Sequence, residues 1–334
     1  MKLADFNTDD KVFVVAEIGN NHEGDFDIAK EMILQAKASG ADAVKFQTFI
    51  PEEFVSVTQT ERLNRLKKFQ FRFSQFEELK LFCDQQGIIF FSTPLDLKSA
   101  RFLIGLVDFI KISSSDNNFY PLLKILAESN KPLILSTGLM DMSEVNKSID
   151  YLKNIWQSDF CLKDRLALLH CISEYPVAID DINLNALHDL SKTGCTVGYS
   201  DHSLGIDAAI YSVAAGARIV EKHFTLDKNY SDFRDHALSA DPVEFKIMVD
   251  KIRLCERYLG KQSKSATFNE KKSIPALRRS LIAITDLNPG DVLSDDNTAW
   301  VRPAGGIDTS DDMIIGRKVI KRVAAYQQID YLDL

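Results

Sequence analysis

A chain of 334 residues, 45% apolar and 26% charged, has the length for one large core plus a small appendage and the composition of an ordinary soluble enzyme. A net charge of −8 argues against non-specific nucleic-acid binding, and the apolar runs are too short to cross a bilayer. The opening MKLADFNTDD lacks the basic-then-apolar layout of an export signal, and the five cysteines are scattered without a C-x-x-C pair; a cytoplasmic protein with reduced thiols is expected, not a disulfide framework or a cysteine zinc site.

In chain order, eight short β-rich runs occupy the first 225 residues: VFVVAEIG from Val12, DAVKFQT from Asp42, IIFFSTP from Ile88, FIKISSS from Phe109, PLILSTG from Pro132, LALLHC from Leu166, TVGYSDH from Thr196 and IVEKHFT from Ile219. Each precedes a stretch readable as a helix. In DFDIAKEMILQAKASG, for example, Ile28, Met32 and Ala36 share one face and Gly40 provides the stop. Strand then helix, eight times over, predicts a parallel (β/α)₈ barrel, because near-continuous apolar strands need helices to cover them. The last barrel helix is expected over DPVEFKIMVDKIRLCERYLG, completing a barrel domain over residues 1–262. A polar linker is expected over 263–277 and a small β-rich module over 278–334, where Asn288-Pro289-Gly290, Asp295-Asp296-Asn297 and Gly305-Gly306 break up short apolar runs.

In such barrels the reactive face is the C-terminal end of the strands, so the residues that end each run are the candidates. They are Glu17, Lys45 with Gln47, Thr93, Lys111 with Ser113 to Asp116, Ser136 with Thr137, His170 with Ser173 and Tyr175, Ser200 with Asp201 and His202, and Glu221 to His223. Five of the six histidines, His22, His170, His202, His223 and His236, lie at or just after strand ends. Taken singly, a strand-end serine is a backbone cap and a lysine is solvated. Converging, they make a positive, donor-rich cup suited to a phosphate and a carboxylate on one small molecule. His202 and His223, ending the seventh and eighth runs, are close enough to share a divalent ion, with manganese, cobalt and zinc all open.

The segments AEIGNNHEGDFDIAKEMILQAKASGADAVKFQTF, STPLD, FIKISSSDNNFYPLL, LLHCISEYP, VGYSDHSLGIDAAIYSVAAGA and VEKHFTLDK resemble the sialic acid synthase family in order and over nearly the whole barrel. The tail, including WVRPAGGI, resembles the antifreeze-like (SAF) domain those synthases carry. The resemblance implies condensation of phosphoenolpyruvate with N-acetylmannosamine or a related amino-sugar aldehyde, 6-phosphorylated or not, to a nine-carbon 2-keto-3-deoxy acid. It places phosphoenolpyruvate on Lys45, Thr93, Lys111, Ser114, Ser136 and Ser200. Glu17 and Asp116 fall at the reacting centre with the two lysines, and Gln47, Ser173, Tyr175, Asp235 and His236 around the sugar. His202 and His223 become ligands of a divalent metal, manganese first, with cobalt or magnesium as alternatives. The implied assembly is a domain-swapped homodimer in which Arg302 reaches the partner's sugar site.

The chain departs from the family pattern in several places. Ser173 stands for an asparagine and Asp116 for a glutamate, Ser113-Ser114-Ser115 replaces Gly-Ser-Gly, and the loop after Gln47 is short. Asp232-Phe233-Arg234-Asp235-His236 replaces Gly-Pro-Asp-His, so Arg234 meets either an anionic substrate group or Asp232 or Asp235. The rival readings are another phosphoenolpyruvate-dependent keto-deoxy acid synthase and a non-catalytic sugar-binding protein on the same fold.

Overall fold

The computed structural model describes residues 1–156, 161–261, 263–311 and 313–334, which fall into two compact units, Met1–Gly260 and Lys261–Leu334. The first is an eight-stranded parallel barrel. Its strands are β1 (Phe13–Gly19), β2 (Ala43–Thr48), β3 (Ile89–Pro94), β4 (Ile110–Ile112), β5 (Leu133–Ser136), β6 (Leu166–His170), β7 (Thr196–Asp201) and β8 (Ile219–His223). Hydrogen-bonded neighbours run β3-β2-β1-β8-β7-β6-β5-β4, and the end strands β3 and β4 lie side by side, nearly closing the barrel. The outer ring is α1 (Phe26–Ala38), α2 (Phe73–Gln86), α3 (Leu97–Leu106), α4 (Tyr120–Glu128), α5 (Met142–Trp156), α6 (Ala186–Ser191), α7 (Asp207–Ala214) and α8 (Pro242–Leu259). α1 and α8 begin where Asp25 and Asp241 accept hydrogen bonds from exposed first-turn amides. Gly87, in the left-handed conformation at φ 67°, ends α2.

Within each apolar strand the side chains alternate between two environments. Val12, Val14, Ala16 and Val44 point outward and join Ala29, Met32, Ile33 and Ala36 of α1 in the strand–helix core. Phe13, Val15, Ala43, Phe91, Phe109, Ile134, Ala167, Leu169 and Ile219 point inward and fill the barrel. A short hairpin pairing Lys2–Leu3 with Phe6–Asn7 adds Met1 and Leu3 to that inner cluster. Continuing the inward parity toward the C-terminal strand ends reaches Glu17, Lys45, Thr93, Lys111, Ser136, Ser200, Glu221 and His223. Chemistry therefore sits one layer above a dry plug. Gly198 keeps that plug tight on β7: a Cβ there would lie 2.4 Å from the Ile219 carbonyl oxygen and 2.6 Å from a Leu169 methyl.

The segment between β2 and α2, read from the sequence as a short loop, carries two helices, Pro51–Phe54 and Thr60–Phe69. Their apolar faces bury Val55, Leu63, Leu66 and Phe69 against Phe49 and Leu95. In the second unit, β9 (Ser280–Ala283) and β10 (Thr298–Val301) pair antiparallel over a small core of Leu281, Leu287, Leu293, Ile307, Ile314, Val319, Val323 and Ile329. The stretch expected as linker contains a helix, Phe268–Leu277, despite Pro275. Thr267 and Glu270 form a reciprocal capping box that supplies its start. Residue 262, where the barrel domain was expected to end, lies outside the described residues. All five cysteines are free thiols, and among the described residues no helix is long and apolar enough to cross a membrane.

Outward parity on β7 and β8 produces one fully buried ion pair. Lys222 Nζ lies 3.1 Å from Asp201 Oδ2, both side chains having no exposed surface. Asp201 also accepts from the Ser203 amide (2.8 Å) and hydroxyl (2.7 Å), so its charge is well satisfied. Removing one partner would strand a charge in the core. Lys222→Met is expected to lower unfolding stability by about 3–5 kcal/mol in a denaturant titration, and adding Asp201→Asn to recover part of that loss.

Candidate active site

The C-terminal ends of the strands open into a cavity of about 580 Å³. On its floor Lys45 Nζ sits 2.9 Å from Glu17 Oε2, 3.6 Å from Glu221 Oε2 and 3.2 Å from Thr93 Oγ1. Lys111 Nζ donates to Ser136 Oγ at 2.8 Å and stands 3.4 Å from Glu221 Oε1, which also accepts from Ser200 Oγ at 2.8 Å. Strand register produces this cluster: Glu17 lies opposite Lys45 and His223, and Glu221 opposite Ser200. Two cations and two anions are thus buried together, which is tolerable because each is paired and hydrogen-bonded.

The electrostatics follow from that packing. Burial alone would raise the Glu221 carboxyl, but Lys111 and Lys45 overcome it and hold its pKa at about 2. Glu17 goes the other way. Burial lifts its pKa above the usual carboxylate value, and the charge of Glu221 adds to the rise against the pull of Lys45. Burial works against charge on Lys45, yet Glu17 and Glu221 keep its pKa above the lysine norm. Lys111, with Lys45 near and one carboxylate to share, is depressed by burial. The pKa values of the two carboxyls are therefore driven apart, Glu221 down and Glu17 up, a separation typical of catalytic pairs.

A second wall carries the serines. The hydroxyls of Ser114, beside the Cys171 thiol, and Ser173 line the cavity, buried and, among the described residues, without a conventional hydrogen-bond partner. Both approach Gly138, where a Cβ would lie 2.6 Å and 2.5 Å from their oxygens. His202 and His223 stand with ring centroids 5.5 Å apart, and Tyr175 stacks on His202 at 4.1 Å. His202 Nδ1 donates to the Ile172 carbonyl at 2.7 Å, and the Cys171 thiol lies 3.7 Å from Nδ1 and 4.0 Å from Nε2, so Nε2 has only this weak sulfur contact. His223 Nδ1 is buried without a partner, and burial, reinforced by His202, keeps that ring neutral. For His202, burial opposes charge but the Cys171 thiol and the Ile172 carbonyl raise its pKa above the usual imidazole value, so a divalent ion there would displace a proton from His202 while finding His223 already neutral. Among the described residues no third histidine, cysteine or carboxylate completes a group around them, so water and substrate oxygens would fill the other positions.

Of the residues singled out from sequence, Glu17, Lys45, Gln47, Thr93, Lys111, Ser114, Ser136, Ser173, Tyr175, Ser200, His202, His223 and Asp235 line this one cavity. Asp116 does not. Its carboxylate turns back to accept from Ser113 Oγ at 2.5 Å and Ser115 Oγ at 3.1 Å, the hydroxyls present where the family pattern has glycines. His236 also lies outside the lining, its two nitrogens engaged by Thr225 Oγ1 at 2.7 Å and Glu23 Oε1 at 3.1 Å. Arg302 belongs to the second unit, where its Nε donates to the Leu277 carbonyl. Two further strand-end histidines are structural. His22 stacks on Phe71 at 4.1 Å, and His170, at an outward position of β6, holds the Ile182 carbonyl at 2.8 Å.

The residue most conspicuously unassigned from sequence is Glu221, the carboxylate that both lysines share. Its signal was present: it lies two positions before His223 on β8 and therefore faces the same interior. Asn20, Arg62, Arg65 and Phe233 also line the cavity, from connections after β1, β2 and β8, the two arginines on the helix Thr60–Phe69, that no strand period could reveal. Arg234 takes the salt bridge with Asp235, 3.3 Å from its Oδ1, and stands 4.5 Å above the Tyr175 ring.

Residues 32–264 match the NeuB family and residues 278–334 the SAF domain. An uncharacterized protein of Methanocaldococcus jannaschii is 45% identical over 96% of this chain and 94% of its own length. The N,N'-diacetyllegionaminic acid synthase of Campylobacter jejuni is 37% identical over 89% of this chain and 92% of its own. The solved N-acetylneuraminic acid (sialic acid) synthetase of Leptospira borgpetersenii, in complex with citrate, superposes with a TM-score of 0.76 at 34% identity, covering 82% of this chain and 94% of that one. A family match over most of the barrel, a SAF match over the tail and relatives of this similarity along nearly their full length lead to one conclusion: the chain belongs to the NeuB family, the sialic acid-type synthases, and ends in a SAF domain.

Proposed function

We propose that this enzyme joins phosphoenolpyruvate to N-acetylmannosamine or a related amino-sugar aldehyde, giving a nine-carbon 2-keto-3-deoxy acid and phosphate. The observation that carries the reading is the convergence of buried Lys45 and Lys111, from different strands, with the hydroxyls of Thr93, Ser136 and Ser200 on one cavity floor. A trianionic substrate such as phosphoenolpyruvate needs such a set of fixed cations and donors.

In the reaction, C3 of phosphoenolpyruvate bonds to the aldehyde carbon, water adds at C2, and the C2–O bond breaks to release phosphate. Lys45 and Lys111 hold the phosphate and carboxylate and so aim the alkene at the aldehyde. Ser114 and Ser173, with unspent hydroxyls, donate to substrate oxygens on the adjoining wall. Glu17, its carboxyl raised by burial, accepts the proton of the water that adds at C2. Gln47 donates to Glu17 Oε1 at 3.3 Å and accepts from Asn20 at 2.8 Å, which orients the carboxyl. Gln47, Tyr175 and Asp235 face the sugar. His202 and His223 would hold a divalent metal, manganese first, which would supply Lewis-acid polarisation of the aldehyde oxygen.

Chelation should abolish phosphate release from phosphoenolpyruvate with added sugar, and Mn²⁺ or Co²⁺ should restore it. His202→Ala and His223→Ala should each lower kcat/KM by at least about 100-fold and weaken Mn²⁺ binding measured by titration. A loss under threefold would remove the metal from the reading. Gly138→Ala, which crowds Ser114 and Ser173, should raise the KM for phosphoenolpyruvate about tenfold while the fold persists by circular dichroism.

The second unit's core is small enough to gain from docking, and the family resemblance supports a swapped homodimer in which Arg302 serves the partner's sugar site. Mixing Arg302→Ala subunits with Lys111→Ala subunits should then recover activity, because one mixed site keeps both residues. Absence of recovery in verified heterodimers would place Arg302 on its own barrel.

A further inference from the structure

We propose that Asp201 and Lys222, the residues immediately before the two imidazoles, form a buried strap that fixes the separation of His202 and His223, and that both are positioning residues for the divalent ion those imidazoles would hold. This rests on the metal reading of the two histidines and deepens it. β7 and β8 pair in parallel with Lys222 directly opposite Asp201, and each is followed in sequence by one of the imidazoles. A one-residue slip of that pairing would turn one imidazole out of the cavity.

Lys222 holds more than its ion partner. Its ammonium donates to Asp201 Oδ2 at 3.1 Å and to the Ser203 carbonyl at 2.5 Å, so one side chain from β8 grips the residues on both sides of His202. Asp201 in turn accepts from the Ser203 amide at 2.8 Å, the Ser203 hydroxyl at 2.7 Å and the Tyr199 hydroxyl at 3.3 Å. Neither the Lys222 nor the Asp201 side chain has any exposed surface, so water does not compete for these bonds. The backbone around His202 is thereby tied to β8 one residue before His223.

Stability alone does not account for an ion pair at this place. Of the charged side chains on the eight barrel strands, Glu17, Lys45, Lys111 and Glu221 face the cavity and only Asp201 and Lys222 face the helices. A buried pair can often be exchanged for apolar residues of similar volume without loss of stability, and outward positions such as Val14, Ala16 and Val44 are of that apolar kind. The pair instead occupies the two positions whose spacing a metal site needs held. His202 has a second constraint, the hydrogen bond from Nδ1 to the Ile172 carbonyl at 2.7 Å. His223 Nδ1 is buried without a hydrogen-bond partner among the described residues, so that ring takes its place from the β8 backbone and its packing. A metal-binding imidazole is ordinarily steered by the partner of its other nitrogen, and here the strap does that task from the backbone side.

The test is Mn²⁺ binding to the whole protein without substrate, read from the electron paramagnetic resonance signal of free Mn²⁺, in the parent and in Asp201→Asn/Lys222→Met. Removing both charges together spares the core a lone buried ion, and circular dichroism follows the fold and Tm of the double variant. The folded double variant should bind Mn²⁺ about 10- to 100-fold more weakly, the loss expected when an outer support of a metal ligand is removed. Its Co²⁺ complex should show a changed visible absorption spectrum, which reports ligand geometry rather than stability. Leu126→Ala on α4, which opens a cavity in the helix layer across the barrel from β8, is the control. It should lower Tm and leave both the Mn²⁺ affinity and the Co²⁺ spectrum unchanged. Ser203→Ala deletes one hydroxyl donor to Asp201 and is the variant read should the double variant not fold; it should weaken Mn²⁺ binding about threefold. Unchanged Mn²⁺ affinity in the folded strap variants, or an equal loss in Leu126→Ala, overturns the strap. Those outcomes leave the metal reading intact wherever His202→Ala abolishes Mn²⁺ binding. Absence of His202-dependent Mn²⁺ binding in the parent overturns the metal reading and the strap together.

Discussion

Burying two ammonium groups at the centre of a protein is the constraint to which the rest of this structure answers. Lys45 and Lys111 each have almost no exposed surface, so each needs carboxylates within the same interior. Glu221 stands between them and Glu17 beside Lys45, and the four charges together stay buried where any one alone would be expelled or neutralised. The same arrangement differentiates the two carboxyls, driving Glu221 down and Glu17 up. An ion cluster of this kind is a poor source of stability for its size, because desolvation offsets most of the attraction. Its persistence is better explained by the anionic ligand it is preorganised to receive.

The barrel supplies what the cluster needs through parity. Inward positions are apolar toward the N-terminal ends of the strands and polar only at the last inward layer, so the charges meet a sealed plug below and open space above. Outward parity has its own charged member, the Lys222–Asp201 pair, which joins the ends of β7 and β8 directly behind His202 and His223. Rigid strand ends rather than loops therefore set the separation of the two imidazoles. The loops do a different task. The helix Thr60–Phe69 and the 232–236 segment bring arginines and aromatic rings to the mouth, where substrates of one family can be told apart without altering the chemistry below.

Local substitutions explain why some candidates left the site. Asp116 is shorter than the glutamate of the family pattern and is flanked by two serines whose hydroxyls capture it within its own turn. That capture keeps it out of the cavity lining. His236 is held by Thr225 and Glu23 behind the wall, while its neighbour Asp235 faces the cavity. One step along a short helix separates a wall residue from a lining residue.

By itself the sequence determined the barrel, because eight apolar runs each followed by a helical stretch admit no simpler covered parallel sheet. It also determined which strand-end residues share the interior, since a period of two carries Phe13 and Val15 to Glu17, and Ile219 to Glu221 and His223. The loop region after β2 was not legible in the same way: Arg62 and Arg65 lie on a polar-looking helix whose burial comes from contacts with Phe49 and Leu95, distant in sequence. Nor was the helix at 268–277, where a four-residue capping box outweighs an internal proline. Only the tertiary structure decided who pairs with whom. Glu221 shares both lysines, Arg234 spends its charge on Asp235, and among the described residues Arg62 and Arg65 have no ion-pair partner. Ion pairing depends on distances of a few ångströms between residues from different strands and loops, and periodicity along one chain segment does not encode such distances.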